Sequence, residues 1–525
     1  MLMITHNWNQ LRGAGHYGAV GFVTRPGAGV DPYARLFGSQ PFAPAQAADT
    51  HPLHDPGHSR KLLERESQIT AAFDAIEPVM REVAAMQWQE GFPGRALTLV
   101  RDRLGFDLPA SCLRSTWSDP LNMRGLYAYS VYQTFHILAE RAFDRGLADL
   151  AEGEPADELI RKWGFHAIDI TPCADGRLSG VVDYILRVPP AVVVHRKSFA
   201  GAMFDIEESA RNWSEIELRR HRESLPNSAD KPTKYLKIGV YHTSDSDPAH
   251  EGCAAHGSDE RRAARALARR LMEFGQAIEN SYCCGASVAT LLIGVDTDSD
   301  AIKVHVPGPG GEISLDRYVD NRDLFDATSG LSRDDAKQLI RSAVAQSAGV
   351  DENDPATEGM RWFCGYLLKN NMAQIEYVRA YHAGRYTDLG HTERFITVGD
   401  SFDEVQMRNL AYQAQMETVE EGAPDLDVGI RIFRKVNMPR GLPIPLIVHQ
   451  RYDGRVPQSR ERAIERALRI EMAIQDRYPD LVRDGWLYTY VTVRDSATGS
   501  RLEAVSGPGS QAGGRCACGC NKGGV

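Results

Sequence analysis

Thr171-Pro172-Cys173-Ala174-Asp175-Gly176-Arg177 follows a short apolar run, Phe165-His166-Ala167-Ile168-Asp169-Ile170. The run reads as a strand and the heptapeptide as the loop at its end. Alternate side chains of an extended segment share a face, so the thiol, the carboxylate and the guanidinium at positions 173, 175 and 177 can converge on one point. A thiolate is a soft ligand for zinc. Asp175 can take a proton or a hydrogen bond while Arg177 fixes its charge and orientation. The pattern is short, and its meaning depends on what other strand ends supply.

A second strand, Leu236-Lys237-Ile238-Gly239-Val240-Tyr241, runs into His242. The loop after it carries His250 and Cys253, then His256, and a helix capped by Ser258 begins behind it. Two strand ends of one sheet can bring Cys173, His242 and Cys253 together. Two thiols and one imidazole, with a fourth position open to water, form a catalytic pattern for Zn2+, whereas structural sites are usually closed by four protein ligands. His250, spaced His-x-x-Cys before Cys253, is the alternative ligand. His242 is favoured because the sheet fixes a strand end and nothing comparable fixes the middle of a loop.

The surrounding texture supports an α/β reading. Strands are expected at Ile168–Thr171, Ala191–His195, Leu236–Tyr241, Thr290–Val295 and Ala301–Val306, with helices at Ile206–Arg222 and Glu260–Ile278. This alternation predicts a largely parallel sheet, and functional groups in such sheets sit at the carboxyl ends of strands. Upstream, helical spacing runs from Leu62 through Val83 with an expected kink or restart at Pro78, then over Ala96–Leu104 and Leu126–Leu150. Glu152-Gly153-Glu154-Pro155 marks a boundary. The last third repeats the scheme: Gly390–Gly399 resembles Gly164–Cys173, Ile444–His449 resembles the strand ending in His242, and a Ser459 helix resembles the Ser258 helix. In this repeat the thiol position becomes Gly399, and the shorter loop after His449 has no cysteine.

Composition narrows the classes. Apolar residues make up 42% and charged residues 25%, and the net charge is −10, which argues against a nucleic-acid binder. No apolar run reaches membrane-spanning length, and no basic region followed by an apolar core marks a secretory signal. Nine unevenly placed cysteines suit a reducing compartment better than a disulfide framework. Residues 1–58 are rich in Gly and Pro, with isolated aromatics beside Arg12, Arg25 and Arg35, and read as a disordered arm that can order on a partner. Vicinal Cys283-Cys284 reads as packing, Asp296-x-Asp298-x-Asp300 as a solvated turn, and the Cys516, Cys518, Cys520 tail as a flexible end.

Together, Cys173-Ala174-Asp175-Gly176-Arg177, Tyr235–Thr243, Cys253-Ala254-Ala255-His256-Gly257-Ser258, Cys283-Cys284-Gly285-Ala286-Ser287 and Val398-Gly399-Asp400 with Phe402–Gln406 resemble the carboxysome shell carbonic anhydrases, a divergent β-class branch. The resemblance implies an N-terminal helical domain followed by two β-carbonic-anhydrase-like α/β domains forming a pseudo-dimer. The expected divisions are an arm at 1–58, helices at 59–150, a catalytic zinc domain at 151–388, a metal-free repeat at 389–505 and a tail at 506–525. It further implies Zn2+ on Cys173, His242 and Cys253, an Asp175–Arg177 catalytic pair, CO2 and bicarbonate as substrates, a homodimer, residence in the carboxysome, and Rubisco or shell proteins as partners of the arm. His256 and His391 are the candidates for proton transfer. Another zinc hydrolase, or a non-catalytic zinc-stabilised scaffold, are the competing functions.

Overall fold

The computed structural model describes residues 50–113, 121–145, 156–189, 193–222, 234–281, 287–386, 392–400, 407–414, 416, 419–495 and 502–506. Cys283 and Cys284, His391, the 402–406 motif, the 152–155 boundary, the cysteine tail and residues 1–49 of the expected arm lie outside them.

The first helix, α1 (Pro56–Asp74), starts inside what the sequence reads as the arm. The arm's expected end at 58 is therefore too late: His51, Leu53 and His58 are buried. The next helix, α2 (Ile76–Met86), starts at a break at Ala75. Of the two outcomes expected at Pro78, the structure shows the restart and not a kink: the proline sits in the first turn of α2, where an N–H has no intrahelical partner to lose. Two more helices follow, α3 (Phe92–Leu104) and α4 (Met123–Arg145).

A mixed α/β unit comes next. It contains α5 (Ala156–Trp163), β1 (Ala167–Pro172), β2 (Val193–Arg196), α6 (Ile206–Arg222), β3 (Lys234–Thr243), α7 (Glu260–Ser281), β4 (Ser287–Asp296), β5 (Ile302–His305) and β6 (Val319–Asp320). Three helices close it: α8 (Asn321–Thr328), α9 (Arg333–Ala348) and α10 (Glu358–Tyr381). The sheet order is β2-β1-β3-β4-β5-β6, with β2, β1, β3 and β4 parallel and the last two strands antiparallel. β3 is buried on both faces from Tyr235 to Thr243, as a parallel strand covered by helices must be. α7 covers it with the stripe Ala263, Leu267, Leu271, Phe274 and Ile278 and leaves Arg261, Arg262, Arg265 and Arg269 exposed. The strand order reverses between β1 and β3, which is where ligands bind in doubly wound sheets.

The second sheet is formed by β7 (Phe395–Gly399), β8 (Ala411–Ala414), β9 (Ile444–Tyr452), β10 (Leu487–Asp495) and β11 (Glu503–Ser506), with α11 (Val419–Val436) and α12 (Ser459–Arg477) as crossovers. Its order is β11-β10-β9-β7-β8, and β8, β7, β9 and β10 are parallel with β11 antiparallel. Read from β8, the order β8-β7-β9-β10-β11 matches β2-β1-β3-β4-β5 strand for strand. The helices of residues 65–145 do not stand alone; they belong to one compact unit with this second sheet. Tyr132 of α4 stacks on Tyr490 of β10 at 4.5 Å, and Phe135 meets Phe395 of β7 edge-on at 5.3 Å.

The register corrects one reading of the repeat. In the first sheet Pro172 pairs with Val240, so Cys173 falls opposite Tyr241, one place short of His242. In the second, Val398 pairs with Val448, one place short of His449. If His449 stands for His242, the thiol position is Val398, not Gly399, and Asp400 stands for Asp175. Gly399 has a φ of +98°, and a Cβ there would run into the His449 carbonyl.

Candidate metal centre

Cys173 follows β1 directly, and its N–H donates to Val240 O of β3 at 3.1 Å. His242 is the penultimate residue of β3. Cys253 precedes a short 3-10 turn, Ala254–His256, that leads into α7. All three side chains are buried, and one ligand atom from each lies within 4.8 Å of the others. The two sulfurs are 3.9 Å apart. The hydrogen-bonded Cys253 sulfur, together with burial, pushes the Cys173 thiol well above its usual range. Two thiolates so close would repel each other, and a cation between them removes that cost.

His242 makes the same point. Neither ring nitrogen has a hydrogen bond among the described residues, although Nε2 lies 3.2 Å from Asp175 Oδ2. A buried polar atom without a partner is costly and calls for one. An unpartnered buried imidazole beside two sulfurs is a soft N/S donor set suited to a tetrahedral metal such as zinc. His250, the alternative ligand, is exposed and pairs through Nδ1 with Asp247 at 2.8 Å.

Asp175 and Arg177 form a buried bidentate pair: Nε donates to Oδ1 at 2.9 Å and Nη2 to Oδ2 at 2.7 Å. Asp175 Oδ1 also accepts the Arg177 N–H at 3.0 Å, so the carboxylate caps the turn that carries its own partner. The pair lies against His242 through Asp175 Oδ2.

The structure adds Gly201, Thr297 and Glu251 to the residues singled out in the sequence. Gly201, at a φ of +66°, points its N–H at Cys173 Sγ at 3.3 Å. Thr297 and Glu251 both contact Arg177. His256 is half-buried close to Gly201, and burial lowers its pKa. The Asp296-x-Asp298-x-Asp300 turn is not solvated: Asp296 pairs with Arg322 and Ser299, Asp298 accepts from Ser244 and Ser246, and Asp300 accepts from Gln374 and Tyr386.

Comparison with known proteins matches three family descriptions in chain order: Carboxysome Shell Carbonic Anhydrase, N-terminal, over residues 51–143; catalytic domain over 155–391; and C-terminal over 392–508. The chain is 45% identical over 462 residues to the carboxysome shell carbonic anhydrase of Halothiobacillus neapolitanus, covering 87% of this chain and 90% of that one. It is 46% identical over 459 residues to the protein of that name from Parasynechococcus marenigrum (87% and 78%). With the one from Hydrogenovibrio crunogenus it shares 42% identity over 464 residues (87% of each).

Proposed function

The chain belongs to the carboxysome shell carbonic anhydrases, and from that premise we propose that it binds one Zn2+ through Cys173, His242 and Cys253 and interconverts CO2 and bicarbonate inside the carboxysome, supplying CO2 to Rubisco. One observation carries the reading: a buried Cys/His/Cys trio with unsatisfied donor atoms, with a buried carboxylate–guanidinium pair against its histidine. Zinc held there supplies a Lewis acid that makes water a nucleophile near neutral pH. Asp175 presents Oδ2 at the face of the trio and accepts the hydrogen bond that aims the attacking water. Arg177 holds both carboxylate oxygens, so Asp175 cannot turn away. The buried surroundings keep bulk water from competing. His256, half-buried beside Gly201, is one candidate for carrying the released proton outward, and His391 is the other.

The second sheet is read as a metal-free repeat of the first, making one chain a pseudo-dimer. Equal strand order and direction support this, as does the absence of a cysteine in the loop from His449 to Ser459. On this reading residues 151–388 form the catalytic zinc domain and 389–505 its metal-free repeat, the chain pairs as a homodimer, and its N-terminal segment reaches Rubisco or shell proteins.

Stopped-flow CO2 hydration on zinc-loaded, chelated and reloaded protein tests the proposal. The expected result is activity lost with the metal and regained with it. Stoichiometric zinc with no hydration in any state would turn the reading to a scaffold.

A further inference from the structure

Arg177 and Asp175 are two residues apart, so their bidentate contact holds them rigidly to each other but does not fix the pair to the sheet. An Arg fork has five N–H donors, and Asp175 takes only two of the directions the side-chain nitrogens offer. The rest of the fork meets residues from two other segments. Nη2 also donates to Glu251 O at 2.8 Å, and Nη1 reaches Thr297 Oγ1 at 3.2 Å and Glu251 Oε2 at 3.4 Å.

These contacts differ in kind. Glu251 lies on the loop between β3 and α7 and its carboxylate is partly exposed, so solvent screens it. Thr297 is fully buried and follows β4 directly. Its N–H and its Oγ1 both lie 2.9 Å from Thr243 O, where each donates. The hydroxyl proton is thus committed to Thr243, and the oxygen lone pairs are left for Nη1. Thr243 is the residue after His242. Thr297 therefore ties the strand end bearing the imidazole to the guanidinium bearing the carboxylate, from a third strand that contributes no ligand.

We infer that Thr297 is a positioning residue for the reaction: its hydroxyl anchors the Arg177 fork to the ends of β3 and β4 and so sets where Asp175 Oδ2 points. This rests on the reading of Asp175 and Arg177 as the catalytic pair. It assigns no contact between Thr297 and substrate.

Thr297→Val keeps the shape and removes the acceptor, whereas Thr297→Ser keeps the hydroxyl. The expected result is that the Val variant loses about tenfold in kcat for CO2 hydration, with KM and bound zinc unchanged and a displaced pH profile of kcat, while the Ser variant stays within about twofold of the parent. Parental kcat in the Val variant would overturn the inference. So would an equal loss in the Ser variant, or a loss of kcat that only follows lost zinc. If the Val protein does not fold, Thr297→Ala against Thr297→Ser is read in the same way. Asp175→Asn measured alongside separates the two levels: parental kcat there would remove the catalytic-pair reading itself, whereas an inactive Asp175→Asn beside a fully active Thr297→Val would remove only the anchor.

Discussion

The first and second sheets share a strand plan and differ at the end of one strand and in one loop. Cys173 follows the end of β1 and β7 ends in Val398-Gly399, with His242 and His449 one place beyond the residues opposite Cys173 and Val398 on the partner strands. The loop from His242 to Ser258 is long enough to fold Cys253 back over the strand ends, whereas the loop from His449 to Ser459 is shorter and has no thiol. His242 lacks hydrogen-bond partners among the described residues, while His449 is engaged through Nδ1 by Thr492 Oγ1 at 3.1 Å. An imidazole at a strand end is therefore not a metal site by itself. It becomes a candidate for one when two sulfurs arrive beside it.

The largest effect should come from breaking the trio. Cys173→Ser, His242→Ala and Cys253→Ser should each abolish stoichiometric zinc and lower CO2 hydration on the order of 10³-fold or more, while His449→Ala and His250→Ala leave both unchanged. Metal analysis with stopped-flow assay reads this directly. Zinc lost from His250→Ala but kept in His242→Ala would reverse the assignment.

Next in size is Asp175→Asn, expected to keep zinc and lose about 10²-fold in kcat, since the amide offers Arg177 one acceptor and turns a donor toward the site. A variant as active as the parent would leave the carboxylate a purely structural cap for its turn.

Much of this contrast is legible in the sequence. Apolar runs ending in Cys173 and His242 declare strand ends, and strand ends in parallel sheets are where ligands gather. The register slip between Gly399 and Val398 is not legible, because a two-residue period makes neighbouring alignments equally plausible until pairing is seen. Thr297 is hidden inside Asp296-x-Asp298-x-Asp300, whose acidic spacing suggests calcium or solvent, while the role of the hydroxyl depends on Thr243 and Arg177 coming from elsewhere in the chain. α10 is hard to read for another reason. The face it buries mixes Phe363, Cys364, Leu367, Leu368 and Met372 with the polar Asn371 and Gln374, while Trp362 stands exposed, so the apolar stripe is blurred in the sequence. The 50–58 segment, rich in His and Pro, reads as arm, yet His51 and His58 are buried against side chains far away in sequence.

Those histidines give the third effect, which belongs to the unit that carries the Cys173, His242 and Cys253 trio. His51 Nε2 lies 3.0 Å from Thr328 Oγ1 and stacks on Phe325, and His58 Nε2 lies 2.9 Å from Gln374 Oε1. Burial lowers both to a pKa of about 4 from 6.5. Between those values the unfolded chain holds protons that the fold refuses, so stability is complete above pH 6.5, falls as pH drops toward 4, and loses nothing more from these groups below that. The loss should be on the order of 3 kcal/mol for each histidine, so about 7 kcal/mol for the two. Hydrogen exchange across pH 7 to 4.5 should show residues 50–64 losing protection, and His51→Gln with His58→Gln should flatten the pH slope. An unchanged slope would mean that these histidines do not set it.

The smallest effect tests whether the second sheet is silent. Asp400 holds the register position of Asp175, but its Oδ2 accepts the Arg451 N–H of β9 at 2.6 Å and so serves the backbone of its own sheet. Asn can accept the same hydrogen bond, so Asp400→Asn should cost less than about 1 kcal/mol in unfolding free energy and leave CO2 hydration per zinc unchanged. A carboxylate kept for its shape tolerates the amide, whereas one kept for its charge at a reacting centre does not. A fall in turnover per zinc in Asp400→Asn would therefore mean that the second sheet acts on the reaction at the first.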